Sequence, residues 1–375
     1  MSASQLFGRS DALRGRHEVP ILTDELTMSD PADPITRMKS QRAEVRFSVV
    51  VTAYNYAHML PGALRALAAQ TLQDFELLIV DDGSTDNTEE VVGSFRQQFR
   101  NCRYLKKAHA GPADARNCGV QNATGTHLAI LDADDLWSPR YLDTVRGIFE
   151  SDPGIEIVFA DGLRVLANGR VLRPVFPPGI PRLNGQVNSA DNLFSLCNYF
   201  LPSGMAFSKA LYDRIGPFDS RFMHGDDVDW VVRAVMAGAF CLRIDQKLFL
   251  YRYHGDNLTK NVIAFLETWL RIYEEQMRNS RLGPECERKA RNFARDYVLR
   301  LLGICTPSEG RALLARAREA LHGDPFLWCA SQSTYLGSTY VMRPLKWAKR
   351  LIQRNQAAAQ QVDLTAPPEI MFQGL

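Results

Sequence analysis

His127-Leu128-Ala129-Ile130-Leu131-Asp132-Ala133-Asp134-Asp135 is an apolar run that ends in three carboxylates within four positions. The run is short enough for a buried strand. Ser138-Pro139 follows it and opens a helix as cap and first-turn proline. Two earlier stretches repeat the design. Phe47-Ser48-Val49-Val50-Val51 is a β-branched run that gives way to Thr52-Ala53-Tyr54-Asn55. Leu77-Leu78-Ile79-Val80 stops at Asp81-Asp82-Gly83-Ser84. Three strands thus deliver three polar clusters at their carboxyl ends.

Helical patterns separate these strands. Leu60, Ala63, Leu64 and Leu67 form a stripe within Met59 to Gln70. Thr85-Asp86-Asn87-Thr88 opens a helix carrying Val91, Val92 and Phe95, and Gly111 to Asn122 reads as another. Further strands are expected at residues 102–105, 155–159, 206–207 and 248–251. A helix is expected from Asp227 to Ala237. Strand and helix alternate for over a hundred residues, which predicts an α/β fold with a mostly parallel sheet flanked by helices. In such sheets ligands bind beyond the carboxyl ends of the strands. The chain turns helical from Val262, and Thr306-Pro307-Ser308-Glu309 is a capping box whose helix Gly323 stops. The expected organisation is a mobile arm over 1–45, an α/β domain over 46–261 divided near 160, a helical C-terminal region over 262–355 and a loose tail over 356–375.

Composition narrows the class. The 375 residues are 46% hydrophobic and 23% charged, the balance of a globular protein. The formal net charge of +2 leaves no footprint for nucleic acid. Seven scattered cysteines without a CxxC pair fit neither a disulfide framework nor a cysteine zinc site, and a reducing cytoplasm suits them. No run approaches the length of a spanning helix.

Asp132, Asp134 and Asp135 repel one another unless water or a cation screens them. A hard divalent cation, Mg²⁺ or Mn²⁺, favours such oxygen ligands. A solvated turn that caps the next helix is the plainer alternative. Asp81 and Asp82 can accept hydrogen bonds from a nucleobase or ribose, whereas Asp86 suits a helix cap. Arg116 can neutralise a diphosphate or pair with a carboxylate. In His224-Gly225-Asp226-Asp227 a carboxylate opens an amphipathic helix. It reads either as a general base or as N-terminal helix charge. His254 is a candidate metal ligand, against the plainer reading of a structural imidazole.

Taken in order, Val49 to Asn55, Gln70-Thr71-Leu72-Gln73-Asp74-Phe75-Glu76, Val80 to Asp86, Ala115-Arg116-Asn117-Cys118-Gly119 and Leu131 to Asp135 resemble the family 2 glycosyltransferases of GT-A fold. The resemblance spans roughly residues 46–260. It implies inverting transfer from a nucleotide-diphosphate sugar, with uridine favoured, and a divalent metal. By position, Thr52, Ala53, Tyr54 and Asn55 would border the nucleotide together with Asp81, Asp82 and Arg116. Asp132-Ala133-Asp134 matches the DxD motif, with Asp134 or Asp135 as the metal ligand. Asp226-Asp227 stands where the family has Glu-Asp, and Asp227 falls on the catalytic base. Ser203, Gly204, Met205 and Asp226 would lie on the acceptor side, facing a glycan, a lipid-linked sugar or a protein. A non-catalytic nucleotide-sugar-binding module and a nucleotidyltransferase are the alternatives. The former needs no Asp227, and the latter needs a basic glycine-rich loop that is absent. Val341, Met342, Leu345, Ala348 and Ile352 form an apolar stripe over 341–354, beside the basic Arg343, Lys346, Lys349, Arg350 and Arg354. It either packs on preceding helices or lies on an anionic membrane surface.

Overall fold

Phe47–Ala53 forms β1, flanked in parallel by β2 (Phe75–Asp81) and β4 (His127–Asp132), with β3 (Cys102–Lys106) beyond β2. The computed structural model describes residues 44–180, 182–187, 189–255, 257, 262–277, 283–301, 307–321, 362–364 and 366–372. Val49, Val50 and Val51 are fully buried, as a central parallel strand covered on both faces requires. The helices α1 (Leu60–Ala68), α2 (Thr88–Phe95) and α3 (Pro112–Asn122) connect these strands. Helix α3 seats a row of small residues on the sheet. A Cβ added at Gly119 would come within 2.2 Å of Val50 Cγ1, so only glycine allows this approach.

Past β4 the sheet becomes mixed. Its order is β3-β2-β1-β4-β9-β6-β10-β5, with β7 beside β6 and β8 beside β10. These are β5 (Leu136–Trp137), β6 (Ile157–Leu166), β7 (Val171–Pro174), β8 (Asn184–Gln186), β9 (Met205–Ser208) and β10 (Phe240–Tyr253). β9 runs antiparallel to both β4 and β6, while β6 and β10 are parallel. The parallel order expected from strand–helix alternation therefore holds through β4. β7 then returns against β6 as a hairpin, which antiparallel strands permit without a crossover helix.

The helices α4 (Tyr141–Ser151), α5 (Ala190–Tyr199), α6 (Lys209–Ile215) and α7 (Asp226–Met236) complete the α/β body. The helical C-terminal region supplies α8 (Val262–Ile272), α9 (Gly283–Leu301) and α10 (Pro307–Ala320). It does not form a separate core. Trp269, Tyr273, Ala290, Val298 and Leu313 belong to the same apolar cluster as the sheet.

The expectation of a loose tail over 356–375 is corrected for its described part. Val362 N donates to Gly169 O at 2.8 Å. Val362 and Met371, the latter in α11 (Pro368–Met371), are buried against Leu136, Leu163, Val165 and Leu250. Those four side chains share one sheet face, and the chain's apolar end segment packs on it beside α1, whose Gly62 and Ala66 border Leu136 and Met371. Most of the expected arm, the stripe over 341–354 and Gly323 lie outside the described residues. Among the described residues no helix is long and apolar enough to cross a membrane.

Candidate active site

The turn after β4 brings Asp132, Asp134 and Asp135 together, with ligand oxygens within 4.8 Å of one another. Their roles differ. Asp135 is buried, and both of its oxygens hold protein donors. Ser203 Oγ donates at 2.6 Å and the Arg252 amide at 3.0 Å. Burial, then the charges of Asp134 and Asp132, push its carboxyl well above the usual range. Asp132 Oδ1 accepts from Thr52 Oγ1 at 3.3 Å and from Arg116 at 3.1 Å. Burial also raises the Asp132 carboxyl, against the pull of Arg116. Asp134 Oδ2 lies 2.9 Å from His254 Nε2 and 3.3 Å from Asn257 Nδ2. Among the described residues, Asp132 Oδ2 and Asp134 Oδ1 accept no hydrogen bond. Two open carboxylate oxygens beside an imidazole, in a crowded acidic pocket, suit a hard divalent cation.

The ends of β1 and β2 form the neighbouring wall. Tyr54 is exposed and stacks on His109 with ring centroids 3.9 Å apart and planes at 16°. Asp82 is 3% exposed and accepts from Lys107 Nζ at 2.6 Å, Ala110 N at 3.0 Å and Gly111 N at 2.8 Å, with His109 Nδ1 also at 2.8 Å. Its lone pairs are engaged by the 107–111 loop. Asp81 has no exposed surface and accepts from Ser84 N and Tyr104 Oη, so its expected contact with the nucleotide is corrected to a turn anchor. Asn55 adopts φ 57°, tolerable for asparagine, and its Oδ1 accepts from Thr85 N at 2.8 Å. It ties one loop to the next. Asp86 is a cap, as read: Oδ1 accepts from Thr88 N at 3.1 Å and Oδ2 from Ala57 N at 3.0 Å. Ala53 and Ala133 are buried floor residues.

Asp226 and Asp227 open α7, and Arg116 of α3 reaches them across the crevice. Arg116 donates to Asp226 Oδ2 at 2.6 Å and to Asp132 Oδ1 at 3.1 Å, and is itself buried. Burial works against its charge, but Asp226, Asp132 and Asp227 hold it firmly protonated. Arg116 therefore links the acidic turn to the start of α7 through its two carboxylate pairs. Asp227 keeps one oxygen on the Val228 amide at 2.9 Å. Burial, then the neighbouring Asp226, lifts its carboxyl to about 7 despite Arg116.

The acceptor-side expectations need correction. Ser203, Gly204, Met205 and Asp226 are all buried. Ser203 braces the acidic turn through Asp135 and the Asp132 amide, and its carbonyl accepts from Trp137 Nε1 at 2.6 Å. A Cβ at Gly204 would meet Phe249 Cε1 at 2.6 Å, so this glycine serves packing. Several site residues lacked a local signal. Arg252 donates to the Asp134 and Ala133 carbonyls and to Met59 O at 3.1 Å. In sequence it reads as one polar residue of an alternating strand. Lys107 and Asn257 likewise sit outside any acidic or glycine-rich cluster.

A family model described as glycosyl transferase family 2 matches residues 48–169. Glycosyltransferase GlyG of Streptococcus pneumoniae serotype 4 is 35% identical over 240 residues, covering 60% of this chain and 75% of that protein. The chain spans 66%, 17% and 17% of the length of three other curated relatives it matches, each bearing a glycosyltransferase name. Among solved structures, S. aureus TarS 1-349 in complex with UDP is similar at a TM-score of 0.59. It is 18% identical and covers 83% of this chain and 93% of that one. Mannosyltransferase PcManGT from Pyrobaculum calidifontis, in complex with GDP-Man and Mn²⁺, is similar at a TM-score of 0.50. It is 19% identical and covers 84% of this chain and 89% of that one.

Proposed function

Because the chain belongs to the family 2 glycosyltransferases, we propose that it transfers a sugar, with inversion, from a nucleoside diphosphate sugar to an acceptor hydroxyl. The observation that carries this reading is that Arg116 bridges Asp132 of the acidic turn and Asp226, next to Asp227 at the start of α7. Tyr54 and His109 offer a flat face on which a base can stack, and a UDP sugar is the simplest donor in view of TarS. Asp134, His254 and Asp132 would hold Mg²⁺ or Mn²⁺, with Asp135 anchoring the turn from behind. A cation bound there would neutralise charge on the departing diphosphate. Asp227 takes the proton from the attacking hydroxyl, which approaches the sugar carbon opposite the diphosphate. Its carboxyl near 7 is matched to that task at neutral pH. The acceptor class is a glycan, a lipid-linked sugar or a protein, used on the cytoplasmic side, with 341–354 as a peripheral membrane contact.

Calorimetry with UDP, with and without Mn²⁺, tests the donor half, and equal affinity in both conditions would count against the cation. The anomeric configuration of the product, read by NMR, tests inversion, and a retained configuration sinks the single-displacement scheme. The binding-module alternative predicts that Asp227→Asn changes nothing.

A further inference from the structure

β6 carries a charge arrangement that the donor chemistry does not use. Arg164 of β6 and Arg173 of β7 are direct cross-strand partners. Like charges placed opposite one another destabilise a hairpin. Among the described residues neither guanidinium has a carboxylate or a hydrogen-bond acceptor, and Arg164 Nε is buried without a partner. Arg103, Arg116, Arg214 and Arg233, in contrast, each hold a carboxylate. Arg164 lies 5.3 Å over the Tyr251 ring.

The face on which this pair stands is fixed by alternation along the strands. Gly162 precedes Arg164 by two residues, and Phe249 precedes Tyr251 by two. Phe249 is the side chain that a Cβ at Gly162 or at Gly204 would strike. The arginines therefore share the face occupied by the Ser203 turn, beside Asp135. Leu163, Val165 and Leu250 point the other way, beneath the C-terminal segment. This face thus carries two like-charged guanidiniums that have only the more distant charge of Asp135 to offset them, with Tyr253 exposed two residues beyond Tyr251.

We propose that the acceptor carries an oxyanion, phosphate or carboxylate, close to its reacting hydroxyl, and that Arg164 and Arg173 bind it. The anion relieves the repulsion within the pair and completes the hydrogen bonding of Arg164. Tyr251 and Tyr253 supply the apolar wall against which the rest of the acceptor unit rests.

This inference rests on the glycosyltransferase reading, and the experiment separates the two. The full-length protein is first titrated with UDP and Mn²⁺. It is then titrated, with both present, by ligand-observed NMR with glycerol 3-phosphate, glycerate and glycerol. Glycerol 3-phosphate, glycerate or both bind, glycerol does not, and the preference between the two anions assigns the group. Arg164→Gln and Arg173→Gln each weaken the binding by about 10-fold or more, while UDP affinity is unchanged. Arg173 is exposed, so its variant decides the matter should Arg164→Gln fail to fold. Equal anion affinity in wild type and Arg173→Gln overturns the inference, as does glycerol binding equal to that of the anions. A protein that binds the anions but not UDP overturns the glycosyltransferase reading, and the acceptor assignment with it.

Discussion

Asp227 and Arg116 can each be tested alone. Asp227→Asn keeps the shape of the side chain but removes its ability to take a proton. We expect transfer to fall by about 10²–10⁴-fold with UDP binding retained. A variant with wild-type turnover would eliminate Asp227 as the base. The lifted carboxyl also sets a pH profile. kcat/KM should rise with pH through a limb centred at about 7, where Asp227 loses its proton. The same shift runs the other way for stability. The folded state holds this proton more tightly than the unfolded chain, so the group's contribution falls as pH climbs from the ordinary carboxylate range to about 7. Arg116→Ala strands Asp226 and Asp132 without their common partner. Its expected cost is about 3–5 kcal/mol by denaturant unfolding. A loss below about 1 kcal/mol would show that water replaces the guanidinium there. The clustering of Asp132, Asp134 and Asp135 was legible because an acidic run at a strand end is a local feature of a sequence. The duty of Arg116 was not, because its partners Asp132 and Asp226 meet it only through the fold.

Among the elements, the C-terminal helices matter through the loop that precedes α7. Arg271 of α8 lies 5.4 Å over Phe222, and Thr268 Oγ1 donates to His224 O at 2.5 Å. Arg221 pairs with Asp219 and with Glu275. These contacts fix the approach to Asp226 and Asp227 from outside the α/β body. Thr268→Val leaves the His224 carbonyl without its donor, and we expect a stability loss of about 1–2 kcal/mol. Turnover should drop while the affinity for UDP stays, because the donor wall is elsewhere. A change in UDP affinity as large as that in turnover would contradict this division. The strands and helices before residue 160 were legible from period and punctuation alone. What escaped was the mixed half of the sheet. Whether β9 pairs antiparallel with β4 and β6 depends on which long-range partners are free, and no spacing encodes that.

At the level of the whole molecule, the segment 362–372 closes the far face of the sheet. Its sequence looked like a tail because prolines flank a short apolar stretch with no period. Its placement follows from the apolar Leu136, Leu163, Val165 and Leu250 on which it packs. Met371→Ala should lower stability by about 2 kcal/mol, at the low end for a buried methionine because the site lies at an edge. An unchanged Tm would show that the segment adds no packing energy. The position of this cover also has a consequence for biosynthesis. Leu250, the last of the four, is made 112 residues before Val362. At about 5–20 residues per second, the ribosome leaves the completed patch without this cover for roughly 6–22 seconds. The nascent chain therefore shows an apolar surface to the cytosol throughout that interval. Chaperone binding to the unfinished chain at that patch is the expected consequence.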